Sequence, residues 1–249
     1  MKNYLFIITA LIISLSFSSC SKEDDLIIEE SLTQLCTKRT VDYSSEWSVN
    51  TNIYDYNYNG TRLLDWTLTR IDNNSTTTTT YTNSYTGDNI TSMIVDNSYD
   101  QWPTIYYDFE YDTQGRVTKR FKDNSLEFTY IYIGYVVEKY NSDTVLIGEQ
   151  TYDYNNNLIL NKSKQPTDSI WTQVLNYEID NFNMPFKNVE SWYPLSPFRY
   201  LGHNNITKVE WGAGIMNMNI SYDANNFPEY IQTTYSDGKS KSEILEYNL

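Results

Sequence analysis

The sequence predicts an all-β fold: an antiparallel meander of about 14–16 strands, curled into an open or porin-like half-barrel. A two-sheet β-sandwich is the structural alternative. Three observations carry this. The chain holds 24 Tyr, 27 Asn and 27 Thr, 78 of its 249 residues, against three Ala; such a mixture disfavours helices, suits strands and supplies turns. Apolar residues recur at every second position, as in Ile105, Tyr107, Phe109 and Tyr111, in Leu126, Phe128, Tyr130 and Tyr132, and in Trp171, Leu175, Tyr177 and Ile179. That period is the mark of strands with one wet face. Turn residues then follow at short intervals, from Asn59-Gly60 and Gly87-Asp88-Asn89 through Asn181 to Asn183 and Asn204-Asn205 to Asp237-Gly238.

From the N-terminus, Lys2 precedes a 14-residue apolar run, Tyr4 to Phe17, which ends in Phe17-Ser18-Ser19-Cys20. The run is short for a spanning helix and has the length of a signal-peptide core. Small residues before Cys20 resemble the lipobox of bacterial lipoproteins, in which that Cys is acylated. Ser21, Lys22, Glu23, Asp24 and Asp25 resemble the Lys-then-acidic signal that sends Bacteroidetes lipoproteins to the outer face of the outer membrane. Residues 1–19 are thus expected to be a signal peptide, residues 20–44 an acylated Cys and tether with a short helical turn at Leu26 to Leu35, and residues 45–249 a single β domain. The expected location is the outer membrane, lipid-anchored and exposed at the cell surface.

The charge of −14, from 18 basic and 32 acidic residues, excludes a nucleic-acid backbone as main partner. Anionic headgroups repel such a chain, which leaves the acyl chain as its membrane contact. Cys36 is the one other Cys and reads as a small buried hydrophobe.

A repeat runs through the turns. Tyr111-Asp112-Thr113-Gln114-Gly115-Arg116-Val117 aligns without gaps on the segments beginning at Tyr152 and Tyr222, with a degenerate copy from Ile179 to Pro185 and a looser one from Tyr56. In this unit the aromatic closes a strand, Asp caps the turn, Gly or Asn takes the left-handed position, and an apolar residue or Pro starts the next strand. Tyr111 to Lys119 resembles the YD repeat of RHS-type proteins. Together with the lipobox, Pro197-Phe198 and the Asn204-Asn205 lead into a strand, residues 45–249 are similar to a domain family of unknown function in Bacteroidetes lipoproteins. That resemblance implies a porin-like antiparallel fold and brings no catalytic residues.

Motifs for chemistry are sparse. His203 is the sole histidine, so a two-His metal site is impossible within one chain, and its Gly202-His203-Asn204 setting reads as a turn. Asp153, Asn155 and Asn157 open like a calcium loop, but Leu158 replaces its Gly and Lys164 its final Glu. No catalytic residue, metal ligand or cofactor is assigned. Asp108, Glu110 and Asp112, with Glu149 and Asp153, supply the carboxylate pairs that a glycosidase would need. Asp143-Thr144-Val145 and Asp168-Ser169-Ile170 resemble three-residue O-glycosylation motifs, which nominates Thr144 and Ser169. Thr76 to Thr80 reads as an exposed strand or loop. Trp47, Trp102, Trp192 and Trp211 are nominated for stacking on sugar rings; Trp66 and Trp171 fall on runs that face a core. The function expected is a non-enzymatic surface module with a glycan or protein ligand. The alternative is a surface polysaccharide hydrolase using paired carboxylates.

Overall fold

A computed structural model describes residues 33–45, 48–72, 75–99, 101–189 and 204–248. The lipobox, the signal after it, most of the expected helical turn, Trp47, Trp192 and His203 lie outside the described residues. The compact unit runs from Thr33. Its strands are β1 (Cys36–Ser45), β2 (Ser48–Asn59), β3 (Arg62–Ile71), β4 (Thr76–Thr86), β5 (Asn89–Asn97), β6 (Ile105–Tyr111), β7 (Val117–Lys122), β8 (Ser125–Ile133), β9 (Val136–Asn141), β10 (Leu146–Tyr152), β11 (Leu158–Ser163), β12 (Gln173–Asn183), β13 (Asn204–Trp211), β14 (Gly214–Tyr222), β15 (Pro228–Tyr235) and β16 (Ser240–Tyr247).

Every strand pairs with its chain neighbours, and β1 pairs antiparallel with β16, Val41 opposite Glu243. The sheet is therefore a closed 16-strand barrel. This corrects both the open half-barrel and the sandwich: alternation fixes which way side chains point, but closure depends on a register between residues about 200 positions apart. It also moves the domain start. The stretch read as tether up to residue 44 contains β1, whose Cys36, Arg39 and Val41 are buried.

The register sorts the wall into two faces. Tyr54 on β2 lies opposite Arg39 on one side and Leu68 on the other, and Trp66 opposite Tyr56 and Tyr81. Tyr54, Tyr56, Trp66 and Tyr81 point inward with Met93, Phe109, Tyr130, Val137, Ile231 and Leu245 to form one aromatic-rich core; Leu68 and Val209 are also buried. Ile105, Tyr107, Phe109 and Tyr111 face inward as the alternation predicts. Leu126 does not share their face, because a bulge near Phe121 separates it from Phe128.

The outer positions carry Asp55, Asn57, Asp65, Asp108, Glu110, Lys119, Glu149, Lys162, Glu178, Lys208, Asn217, Asn219 and Glu246 among their neighbours. Apolar side chains share that outer face: Ile94, Tyr106, Ile131, Val174, Ile215, Tyr230 and Ile244 are exposed on the same strands, so the outer wall mixes charged and apolar positions.

The two ends of the barrel differ. At one end the repeat turns close β6–β7, β10–β11 and β14–β15. In each, the Asp carboxylate accepts from the backbone N–H groups two and four residues on: Asp112 from Gln114 and Arg116, Asp153 from Asn155 and Asn157, and Asp223 from Asn225 and Phe227, all at 2.8–2.9 Å. Gly115, Asn156 and Asn226 take positive φ of 74°, 61° and 65°. The copy at Ile179 is no turn. Asn181 and Asn183 lie in β12; Asp180 keeps the first bond of the repeat, accepting the Phe182 N–H at 2.9 Å, and also accepts from the Tyr222 hydroxyl and the Asn205 N–H. Met184 to Val189 folds into this same end, with Phe186 buried edge-on against Tyr56, ring centroids 5.1 Å apart. The opposite end carries the connections 98–104 and 164–172.

Candidate functional site

The end away from the repeat turns holds an open pocket of about 130 Å³, lined by Arg70, Thr77, Thr79, Asn97, Tyr99 and Trp102 among others. Its floor follows from strand register. Arg70 at the end of β3 lies opposite Thr77 on β4, and Thr79 lies opposite Asn97 on β5. All four therefore share the inward face where it reaches the rim. The Thr79 hydroxyl donates to the Asn97 side-chain oxygen at 2.7 Å.

The upper wall is the loop after β5. Ser98 continues the ladder past the strand, donating its N–H to the Thr78 carbonyl at 2.8 Å while its hydroxyl accepts the Thr78 N–H at 2.9 Å. Trp102 N–H then closes a turn on the Tyr99 carbonyl at 3.0 Å. A short, tied loop thus holds two rings largely in solvent: Trp102 is 61% exposed and Tyr99 51%. Each ring presents an apolar face on which a ligand ring can stack.

The other nominated residues are placed elsewhere. Trp211 is half-buried at the end of β13, where its ring lies over Gly214 so closely that any Cβ there would sit 2.2 Å from it. It packs over the β13–β14 hairpin turn. Trp66 is in the core, stacked on Tyr81 with centroids 4.3 Å apart. Trp171 precedes β12 and carries the ammonium groups of Lys162 and Lys164 at 5.9 and 5.4 Å from its centroid, so it is a half-buried loop residue. Thr144 and Ser169 are exposed in loops.

Each carboxylate considered for paired acid–base work, apart from the outward Asp108, has a structural partner. Glu110 pairs with Lys119 at 2.7 Å and Glu149 with Lys162 at 2.5 Å; Asp112 and Asp153 hold their turns. The turn bonds of Asp153 also account for the calcium-like spacing around it. Among the described residues no cluster of three His, Cys, Asp or Glu side chains is placed to hold a metal.

Inside the barrel, Glu243 accepts Arg39 at 2.6 Å and Lys241 at 2.5 Å, with all three side chains at most 5% exposed. Further round the wall the Lys139 ammonium lies 3.5 Å from the centroid of Phe128, with Arg120 over the same ring. Burial, then the like charge of Arg120, lowers the Lys139 pKa to about 8. Cys36 is fully buried, and loss of solvent pushes its thiol up to about 12.

Arg70 and Tyr99 were not legible as site residues. Neither belongs to a motif, and only strand register brings Arg70 to the rim beneath the 98–104 loop.

No family model matches the chain, and no curated protein matches it. Among solved structures, it is similar to a porin-like protein from Bacteroides uniformis at 14% identity and a TM-score of 0.47, covering 86% of this chain and 98% of the other. A porin-like protein from Bacteroides vulgatus matches at 13% identity and a TM-score of 0.49, covering 86% and 99%.

Proposed function

We propose that this protein is a non-enzymatic surface module that binds a glycan at the rim of β3, β4 and β5. An acyl chain on Cys20, directed by Ser21 to Asp25, holds it on the outer face of the outer membrane. The observation that carries the reading is the pair of exposed rings, Trp102 and Tyr99, on a loop tied to β4 above threonine hydroxyls and the Asn97 side chain. Sugars are recognised by an apolar ring face stacked on an aromatic and hydroxyls bonded by short polar side chains.

The test is glycan-array binding of the chain from residue 21, followed by titration of the best ligand. Binding that disappears in Trp102→Ala, with the fold intact by circular dichroism, is the expected result. Silence across the array together with a protein cross-linked on cells would replace the sugar by a protein ligand. For the anchor, Cys20→Ala is expected to leave the membrane fraction; retention there would overturn it.

A further inference from the structure

Arg70 is the part of the rim pocket that a neutral sugar leaves unused. The other described arginines each have a carboxylate: Arg39 with Glu243 at 2.6 Å, Arg62 with Asp88 at 2.5 Å, Arg116 with Asp112 at 2.7 Å and Arg120 with Glu127 at 2.8 Å. Arg70 has none among the described residues, in a chain with 32 acidic side chains to 18 basic. Two described acids close to it in the chain or on the next strands are committed elsewhere. Asp72 accepts the Ser75 N–H at 2.7 Å and the Ser75 hydroxyl at 2.9 Å, and Asp96, on the outward register of β5, accepts the Thr104 hydroxyl at 3.0 Å.

The floor around the guanidinium is neutral: Thr77 lies opposite Arg70, and Thr79 and Asn97 follow along the same face. Trp102 and Tyr99 stand over it. A planar guanidinium matches a planar carboxylate with two parallel N–H···O bonds, which fixes orientation as well as adding energy. The surrounding negative charge of the chain repels anions in general, so a guanidinium without a carboxylate partner among the described residues marks a place where an anionic group can approach.

We infer that the rim pocket takes an acidic sugar, its carboxylate paired with Arg70 and its ring lying on Trp102. This rests on the glycan reading above and names the class of glycan.

The experiment titrates the chain from residue 21 with a uronic-acid oligosaccharide and with the same oligosaccharide after reduction of its carboxyls to alcohols. The expected result is a preference of about tenfold or more for the acidic form, the size of a charge-assisted hydrogen bond. Arg70→Gln is expected to bring the two affinities together while keeping binding of the reduced sugar, and Trp102→Ala to lose both. Equal affinities for the unsubstituted chain, or a preference that survives Arg70→Gln, would overturn the acidic class and leave glycan binding standing. Binding that survives Trp102→Ala would remove the pocket from both readings. Absence of binding to either sugar, with an array that is also silent, would overturn both.

Discussion

The Tyr111 hydroxyl donates to the carbonyl of Ile90 at 2.6 Å, reaching from the last residue of β6 to the start of β5. The same bond recurs around that end of the barrel. Tyr58 donates to Cys36, Tyr85 to Leu63, Tyr132 to Val117 and Tyr247 to Pro228, at 2.8–2.9 Å. Each joins the end of an even-numbered strand to the first or second residue of the strand before it. Among the repeat tyrosines Tyr111 makes this bond, whereas Tyr152 donates to the Gln150 side chain at 3.0 Å and Tyr222 to Asp180; burial raises the Tyr111 phenol well above its ordinary pKa, so it stays a donor at any physiological pH.

Removing that hydroxyl leaves the ring packing in place and withdraws one half-buried bond. Tyr111→Phe is expected to cost about 0.5–1.5 kcal/mol in urea unfolding. Tyr106→Phe, on an exposed neighbour of the same strand, is expected to stay within about 0.5 kcal/mol. Equal effects at the two positions would count against the rim bonds.

Thr144 occupies a position its side chain does not suit. Asn141 builds the β9–β10 turn as the repeat aspartates do, its side-chain oxygen accepting from Asp143 at 3.1 Å and Val145 at 2.8 Å. Thr144 then takes φ of 62°, where the repeat turns have Gly or Asn. A β-branched residue is strained there. Thr144→Gly is expected to stabilise the barrel by about 1 kcal/mol, read as a higher urea midpoint; a lower midpoint would show that the Thr side chain makes a compensating contact. Because the hydroxyl is exposed, the strain does not prevent its use as a glycosylation acceptor.

What the sequence made legible was local. The turns at Asp112, Asp153 and Asp223 follow from residues within five positions of each other, and the inward run from Ile105 to Tyr111 from simple alternation. The Asn141 turn escaped because Asn stands for Asp and Thr for Gly. β1 escaped because its inward positions include a cation: Arg39 is charged in the sequence and buried in the fold, neutralised by Glu243 from the far end of the chain. Trp102 was nominated as an aromatic, whereas its companions Arg70 and Thr77 became neighbours only through a β3–β4 register that has no sequence signature.

The closing role of β1 gives a sharp truncation test. A fragment of residues 45–249 lacks β1 and exposes the edges of β2 and β16, which together bury Val41 and Cys36. Open edges invite pairing with other chains. That fragment is expected to aggregate or to show no cooperative transition, whereas residues 33–249 are expected to unfold in one. A monomeric, cooperative 45–249 fragment would mean that the sheet tolerates being open.

Cys36 should behave as a packing residue. With the thiol buried and its pKa near 12, its thiolate is scarce at pH 8. Alkylation of the native chain from residue 21 at pH 8 is expected to be far slower than in urea, as read by mass spectrometry; labelling at comparable rates would indicate that the β1 end opens readily.

Lys139 sets a pH dependence whose sign follows from its surroundings. Its folded pKa is near 8 and its ordinary value 10.5, so between these limits the unfolded chain binds more protons and stability rises with pH. The charged form is disfavoured by burial and by Arg120, and the Phe128 ring face recovers only part of that cost. Lys139→Met keeps the stem that packs near Gly148 and removes the charge. The variant is expected to be more stable than the parent at pH 7, by roughly 1–3 kcal/mol, with the advantage shrinking as the pH approaches 10.5. Urea midpoints at pH 7 and pH 9.5 decide it. An equal loss of stability at both values would show that the ammonium contributes contacts worth more than its burial costs.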